Sequence, residues 1–538
     1  MGIPHLYREI VKNSPHVIVD NISTSVTRLF LDFNSIIHQC VNELKTRCVE
    51  VDIHIFKEIV DYTNTIAKIC KPSQLLYIAI DGVATIAKQH QQRKRRYLSV
   101  YTNEQIEKFK NDKNIKYIKW DSNQITPGTE FMKKLNVYLT EYYNTHKFDF
   151  KIILSGSDQE GEGEHKIINY IKENPINDNE SDVIYGLDGD LIMLTLTCSG
   201  SKNIYLMRES INFKPTLTND LSFKYVNIQL LRIAISNHLY GSNDISYMYD
   251  YVFICFLIGN DFLPNIPCLK IRFNAIDIIC NTYKKVFELC SNTNLILYDN
   301  NIFKINYQFI KILFEQLSKL EDNLMEEITI DYNKTRTNSF KTPNSDIELL
   351  IKIMDNYPLN NKMTHLINPI SNKKWRMDYY HYLFYDHSET VIHDSCINYI
   401  EGLNWNLNYY FNKNYAKKWH YQFNYAPCLT DISKYLSTMY SSVFDKILLS
   451  TQNDNFKLDA NIQLLMVLPP QSIDILPIKL QPIMKDVNIG CVHYFPNKFK
   501  LSTYLKYFGW ECTPVLPNID IDHLVNTVNI VNIVNEIN

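Results

Sequence analysis

The sequence has no surplus of charge. Its 55 Lys and Arg against 58 Asp and Glu leave a net charge of −3 over 538 residues. No global field draws in a polyanion, so any such partner must be held by a local basic patch. Paired cysteines are missing as well. All 12 are scattered without a CxxC pair, which excludes a zinc module or a disulfide framework and fits a reducing, intracellular compartment. There is no long hydrophobic run either, since YVFICFLIG, the longest, is far too short to span a bilayer. The opening MGIPHLYREI carries charge early and does not read as a signal peptide. Leu6 stands where myristoylation would need Ser or Thr. The expectation is a soluble protein with no membrane partner.

The chain is too long for one compact core, so two or more lobes are expected. Four segments of the first half read as short buried strands: TRLFLDF (27–33), LLYIAIDG (75–82), KIILSGS (151–157) and DVIYGLDGD (182–190). Helical patterns lie between them, including AKQHQQRKRRYLSVY and GEHKIINYIKEN. Strands alternating with helices predict an α/β fold with a mainly parallel sheet. The texture turns helical over 225–330, and the polar stretch 331–346 reads as a linker. A second, aromatic-rich lobe follows to about 525, before a repetitive Asn-rich tail, NTVNIVNIVNEIN. The expected organisation is a core over 1–270, a helical extension and linker over 271–345, a second lobe over 346–525 and a tail over 526–538.

In an open α/β sheet, ligands bind at the carboxyl ends of the parallel strands. Those ends carry Asp32, Asp81, and Asp188 with Asp190, while Glu162 and Glu164 follow the third strand. The apolar run VFICFLIG stops at Gly259-Asn260 and supplies Asp261. A lone Asp at such a place most often caps the following helix; seven acids in one pattern point to ligands instead. Two unit charges 4 Å apart repel by about 4 kcal/mol at an effective dielectric near 20. Divalent cations relieve that repulsion, and an oxygen-only set with no His or Cys favours Mg2+ or Mn2+, as two ions. A carboxylate-bound ion pair is an arrangement that cleaves phosphodiesters. Gly161 and Gly163 let the backbone bring the glutamates close, and Glu160 is expected to be a solvated side chain.

Seven residues past Asp81 begins KQHQQRKRR (88–96). Lys88, Gln92, Arg95 and Arg96 fall on one helical face and would bind a phosphate through charge-assisted bonds plus a neutral donor. Arg93 and Lys94 are expected to face solvent. The same run also reads as a nuclear localisation patch or a solvated helix face.

The motifs LFLDFNSIIHQC, IDGVATIAKQHQQRKRR, ILSGSDQEGEGEHKIINYI, YGLDGDLIML and FLIGNDFLPNIP resemble the 5′→3′ exoribonuclease (XRN) family, within the flap-endonuclease-like, PIN-like nucleases. In the second lobe WRMDYY, WHYQFNYAP, LMVLPPQS and GWECTPVLPNID match too, and the resemblance is collinear over about residues 1–525. It implies a nuclease that removes mononucleotides processively from single-stranded RNA with a 5′-monophosphate. It also implies that the seven acids form the metal site, and that Lys88, Gln92, Arg95 and Arg96 form the 5′-phosphate pocket. His38 matches the residue that stacks on the terminal base, although the residues alone read it as a core histidine. Trp419 matches the opposing aromatic wall, while Lys417 replaces the first tryptophan of that block and Trp405 is expected in the core. Glu160 replaces a usual proline, Gly189 an alanine, and Thr85-Ile86 a Pro-Arg pair. The long C-terminal extension of the large members is not found. The resulting expectation is a monomeric exoribonuclease of the cytoplasm, a host's included, with the nucleus left open. A DNA flap nuclease and an inactive RNA-binding scaffold are the rival readings.

Overall fold

A computed structural model describes residues 6–22, 24–44, 51–112, 120–186, 188–198, 203–209, 222–240, 246–299, 302–335 and 346–537. The chain divides into two compact units. The first takes Met1–Ala84 and Ile118–Cys255, the second Thr85–Tyr117 and Phe256–Asn538. Among the described residues no helix is long and apolar enough to cross a membrane.

The first unit is built on a seven-stranded sheet: β1 (Ile18–Val19), β2 (Arg28–Asp32), β3 (Leu75–Ala79), β4 (Lys151–Ser155), β5 (Asp182–Tyr185), β6 (Ile204–Glu209) and β7 (Phe223–Asn227). Their spatial order is β1-β7-β6-β5-β2-β3-β4. The run from β4 to β6 is parallel, and β7 and β1 close one edge antiparallel. The sheet is therefore the mainly parallel one expected, with its four predicted strands adjacent to one another and β4 at the outer edge. β2 and β3 are near-continuous apolar runs because a central parallel strand is covered on both faces. Leu29, Leu31, Leu76 and Ile78 pack with Phe33, Ile36, Ile55, Ile59, Phe131 and Leu135 from flanking helices.

The connectivity sets the functional edge. The chain leaves β2 for β3 and β4 on one side, then returns to place β5 on the other side of β2. That reversal opens a crevice outside the carboxyl ends of β2 and β5, where ligands of such sheets bind. At the opposite end of the same two strands, Arg28 on β2 grips Asp182 on β5. Its Nε and Nη2 each donate at 2.7 Å to one carboxylate oxygen. Arg28 Nη1 also donates to the Asn174 carbonyl.

In the second unit the basic run lies in the helix Ile86–Asp112, longer than its apolar pattern suggested. Ile86 enters a core with Leu464, Leu465, Val467 and Leu476. A fully buried carboxylate, Glu321, accepts from the amides of Leu429 and Thr430 at the start of helix Leu429–Thr438, and pairs with Arg376. Anions at a helix N-terminus are stabilised in this way by the unsatisfied amides. Two readings change here. Residues 331–334 continue the helix Glu321–Lys334 rather than open a linker, and 336–345 lie outside the described residues. The Asn-rich tail belongs to the helix Ile521–Ile537, whose Leu524 and Val528 enter the same core as Ile86.

Asp182→Ala leaves the Arg28 guanidinium buried without its carboxylate and is expected to lower stability by about 3–5 kcal/mol. Urea denaturation measures this, and a loss below about 1 kcal/mol would show that the pair does not hold β2 to β5.

Candidate metal centre and phosphate-binding helix

The strand ends of the first unit bring the acids to one edge. Asp32 is the last residue of β2 and pairs in register with Ala79, the last of β3; Ala79 in turn pairs with Ser155, the last of β4. Asp81 therefore sits two residues beyond the same edge, and Glu162 and Glu164 begin the helix Gly163–Glu173 that follows β4. Asp188 and Asp190 follow β5 in the same way, at the start of helix Asp190–Leu196, with the Asp190 amide donating to Asp188 Oδ1 at 3.3 Å.

Gly163 is the point of convergence. Its amide donates to Asp81 Oδ1 at 2.7 Å. A Cβ added there would lie 2.8 Å from the Ala79 carbonyl and 3.3 Å from both Asp32 Oδ1 and Asp81 Oδ1. Only glycine allows this approach of helix to strand ends. Asn34 fixes the other Asp81 oxygen with its amide at 2.8 Å and accepts the Asp81 backbone N–H at 3.1 Å. On the β5 side, Gly186 lies against Asp32, whose Oδ2 would be 3.7 Å from an added Cβ. Asp32 thus faces both loops.

The ligand atoms of Glu162, Glu164 and His165 lie within 4.8 Å of one another. Both glutamates are buried, at 3% and 8% exposure. Beside the oxygen-only set expected from the sequence the structure sets an imidazole, that of His165. The signal is present in the sequence, since His165 directly follows Glu164, but it lies outside a pattern made of carboxylates alone. Lys166 falls outside that pattern too. Its ammonium donates to the carbonyls of Ile80 and Gly156 at 2.7 and 2.9 Å, tying the helix to the ends of β3 and β4. Burial pulls its pKa down to about 8, and the Asp81 and Asp158 carboxylates oppose that fall. The donor set fits a hard divalent cation: carboxylate oxygens dominate, and they crowd a backbone position that tolerates no side chain. Glu160 is exposed, and so is His38 on helix Phe33–Leu44, which corrects the core-histidine reading.

Asp261 belongs to the second unit. Gly259, at φ +91°, turns the chain, and a Cβ there would meet the Asn265 amide nitrogen at 2.6 Å. The Asn260 side chain then accepts from the Phe262 and Leu263 amides at 3.0 and 2.9 Å, shaping the loop that presents Asp261. Asp261 is ion-paired with Lys88 at 2.8 Å. Burial favours its neutral form, but nearby cations, Lys88 foremost, together hold the carboxyl well below the ordinary range.

Along the basic helix, Lys88 is buried, Gln92 and Arg96 are half-buried and Arg95 is exposed. The expectation for the opposite face fails. Arg93 is 3% exposed and donates to the carbonyls of Pro517 and Tyr494 at 2.7 and 2.6 Å. Lys94 is half-buried, with its pKa drawn down to about 8 by burial and then by Arg93. Both meet a wall of the second unit that helical periodicity alone does not reveal. Near the helix start, the Ile86 amide donates to the Lys417 carbonyl, and Asp454 accepts the amides of Lys417 and Lys418. Trp419 follows, half-buried, stacked on Trp405 with centroids 5.2 Å apart. Trp405 is fully buried and stacks in turn on Tyr409 at 4.7 Å.

Comparison with known proteins matches residues 1–210 to the XRN 5′-3′ exonuclease N-terminus, and 244–352 with 368–535 to the Xrn1 helical domain. The human 5′-3′ exoribonuclease 1 is 29% identical over 98% of this chain and 34% of its own length. The Saccharomyces cerevisiae protein of that name is 26% identical over 98% of this chain and 43% of its own length. The Arabidopsis thaliana 5′-3′ exoribonuclease 2 is 25% identical, covering 98% and 67%. The chain thus spans from about a third to two thirds of these relatives.

Gly163→Ala is expected to lower divalent-cation affinity about 10–100-fold, the range seen when a ligand's support is disturbed. Titration with Mn2+ followed by electron paramagnetic resonance measures it, with far-ultraviolet circular dichroism unchanged. Wild-type affinity in the variant would place the ion elsewhere.

Proposed function

Because the chain belongs to the XRN 5′-3′ exonuclease family, we propose that it is a divalent-metal-dependent 5′→3′ exoribonuclease. Its substrate is single-stranded RNA with a 5′-monophosphate, degraded processively to nucleoside 5′-monophosphates. The observation that carries the proposal is the gathering of carboxylates around Gly163 at the carboxyl edge of the parallel sheet.

Asp32, Asp81, Glu162, Glu164, Asp188 and Asp190 are proposed ligands of Mg2+ or Mn2+, two ions in all, and Asp261 is proposed as a metal ligand by its place in the family motif. Bound ions supply charge neutralisation to a phosphodiester and lower the pKa of water. The protein's own contribution is orientation. The Gly163 amide and Asn34 fix the two Asp81 oxygens, and Lys166 holds the ends of β3 and β4 to the helix of the glutamates.

Lys88, Gln92, Arg95 and Arg96 are proposed to bind the 5′-monophosphate. A pocket sized for one phosphate makes the enzyme end-specific and refuses a cap or triphosphate. His38 on the first unit and Trp419 on the second are each proposed as stacking surfaces for bases. Stacking is worth about 1–3 kcal/mol per base and tolerates every sequence. One face of Trp419 is already committed to Trp405, so its other face is the one offered. We place the enzyme in the cytoplasm as a monomer acting in mRNA decay.

Asp188→Ala is expected to abolish cleavage while RNA still binds, as read by gel shift beside a cleavage assay. Retained cleavage would remove the site. A labelled RNA offered with a 5′-monophosphate, triphosphate, cap or hydroxyl should be degraded only in the first form, and only with Mg2+ or Mn2+. Arg95→Ala should erode the preference for monophosphate over hydroxyl; an unchanged preference would remove the pocket assignment. Matched 5′-phosphorylated DNA, cleaved as fast as the RNA, would overturn the substrate class.

A further inference from the structure

Lys88 and Asp261 have different proposed ligands, a phosphate and a metal ion, yet they are bonded to each other. Lys88 Nζ lies 2.8 Å from Asp261 Oδ2, with the two side chains 10% and 4% exposed. The ammonium also sits 5.9 Å from the centroid of the Phe262 ring, next in the chain to Asp261. A carboxylate buried this deeply needs a cation in contact, because a buried charge left without its partner is strongly destabilising. An ammonium and a divalent ion on one carboxylate repel each other strongly where water is scarce. Lys88 must therefore leave Asp261, or hold it less tightly, when a metal ion is coordinated there.

The helix supplies a destination. One and two turns further along the same face stand Gln92, Arg95 and Arg96. The Lys88 side chain has four rotatable carbons, so its ammonium can swing between a carboxylate and an anion held by those residues. A phosphate monoester there gives the ammonium a second partner of higher charge.

We propose that Lys88 is the resident counter-ion of Asp261, exchanged for a divalent cation when a terminal phosphate draws the ammonium away. This rests on the reading of Lys88 as a phosphate ligand and Asp261 as a metal ligand. Phosphate and metal then bind cooperatively, and linkage makes the effect reciprocal: the phosphate raises metal affinity by the same factor as the metal raises phosphate affinity. An RNA end with a hydroxyl leaves Lys88 on Asp261 and that carboxylate closed to a metal ion. Selection for the monophosphate would act through the metal as well as through direct contacts.

The test is Mn2+ affinity of the whole chain, by electron paramagnetic resonance, with saturating adenosine 5′-monophosphate or with adenosine. In the wild type the monophosphate should raise the affinity of the weaker Mn2+ site about tenfold, equal to about 1.4 kcal/mol. In Lys88→Met that difference should vanish, and Mn2+ should bind without the nucleotide at least as tightly as in the wild type. Lys88→Gln, which keeps a donor toward Asp261 without the charge, should behave the same way and serves if the Met variant does not fold. An equal Mn2+ affinity with both ligands in the wild type overturns the exchange, as does a monophosphate effect that survives both substitutions. Asp261→Asn separates this from the underlying reading. Unaltered Mn2+ binding in that variant means Asp261 is no metal ligand, and the exchange falls with it; weakened Mn2+ binding in that variant, beside a wild type in which the nucleotide has no effect, refutes the exchange alone.

Discussion

Mutual repulsion among carboxylates is the constraint on which the first unit depends. Asp32, Asp81, Glu162, Glu164, Asp188 and Asp190 all follow strand ends on one edge of a sheet, and several have lost most of their contact with water. Their placement is fixed by parts that do other work. Register brings β2, β3 and β4 to an end together. The reversal of strand order puts β5 next to β2. Hydrogen bonds from Gly163 and Asn34 occupy the oxygens of Asp81. The free energy needed to hold such a cluster comes from the apolar core behind it, and the proposed metal ions would lower the cost further.

The second unit handles charge differently. Glu321 is buried against Arg376 and the amides at a helix start, and Arg93 is buried against two carbonyls. Each of these groups is satisfied within the fold and helps set its packing. Asp261 and Lys88 stand apart from that pattern. They satisfy each other, while each is proposed to take a ligand, Asp261 from the loop after Gly259 and Lys88 from the basic helix.

Much of this is legible in the sequence because central parallel strands are written as unbroken apolar runs. β2, β3 and β5 stand out for that reason, β4 by a shorter apolar run at the sheet's edge, and the acids as the residues at or just beyond their carboxyl ends. The edge strand β1 and its neighbour β7 escape: Ile18–Val19 has only two residues, and Phe223–Asn227 alternates with polar ones. His165 is easily overlooked because it interrupts an acidic pattern. The burial of Arg93 is unreadable, since its partners at Tyr494 and Pro517 lie about four hundred residues away. The pairing of Lys88 with Asp261, 173 residues apart, is hidden for the same reason. The final helix does leave a trace: Leu524, Val528 and Val531 recur at helical spacing, beneath an Asn-rich composition that masks it.

The distance along the chain from Arg93 to its partners bears on how the protein is made. The basic helix leaves the ribosome early, but the carbonyls of Tyr494 and Pro517 that cover Arg93 are synthesised 401 and 424 residues later. At about 5–20 residues per second, that interval is on the order of 20–80 s. For that time an arginine- and lysine-rich segment waits unfinished beside ribosomal and messenger RNA, the very polymers its charges attract. The second unit can close over its own helix only once that distant stretch has been made.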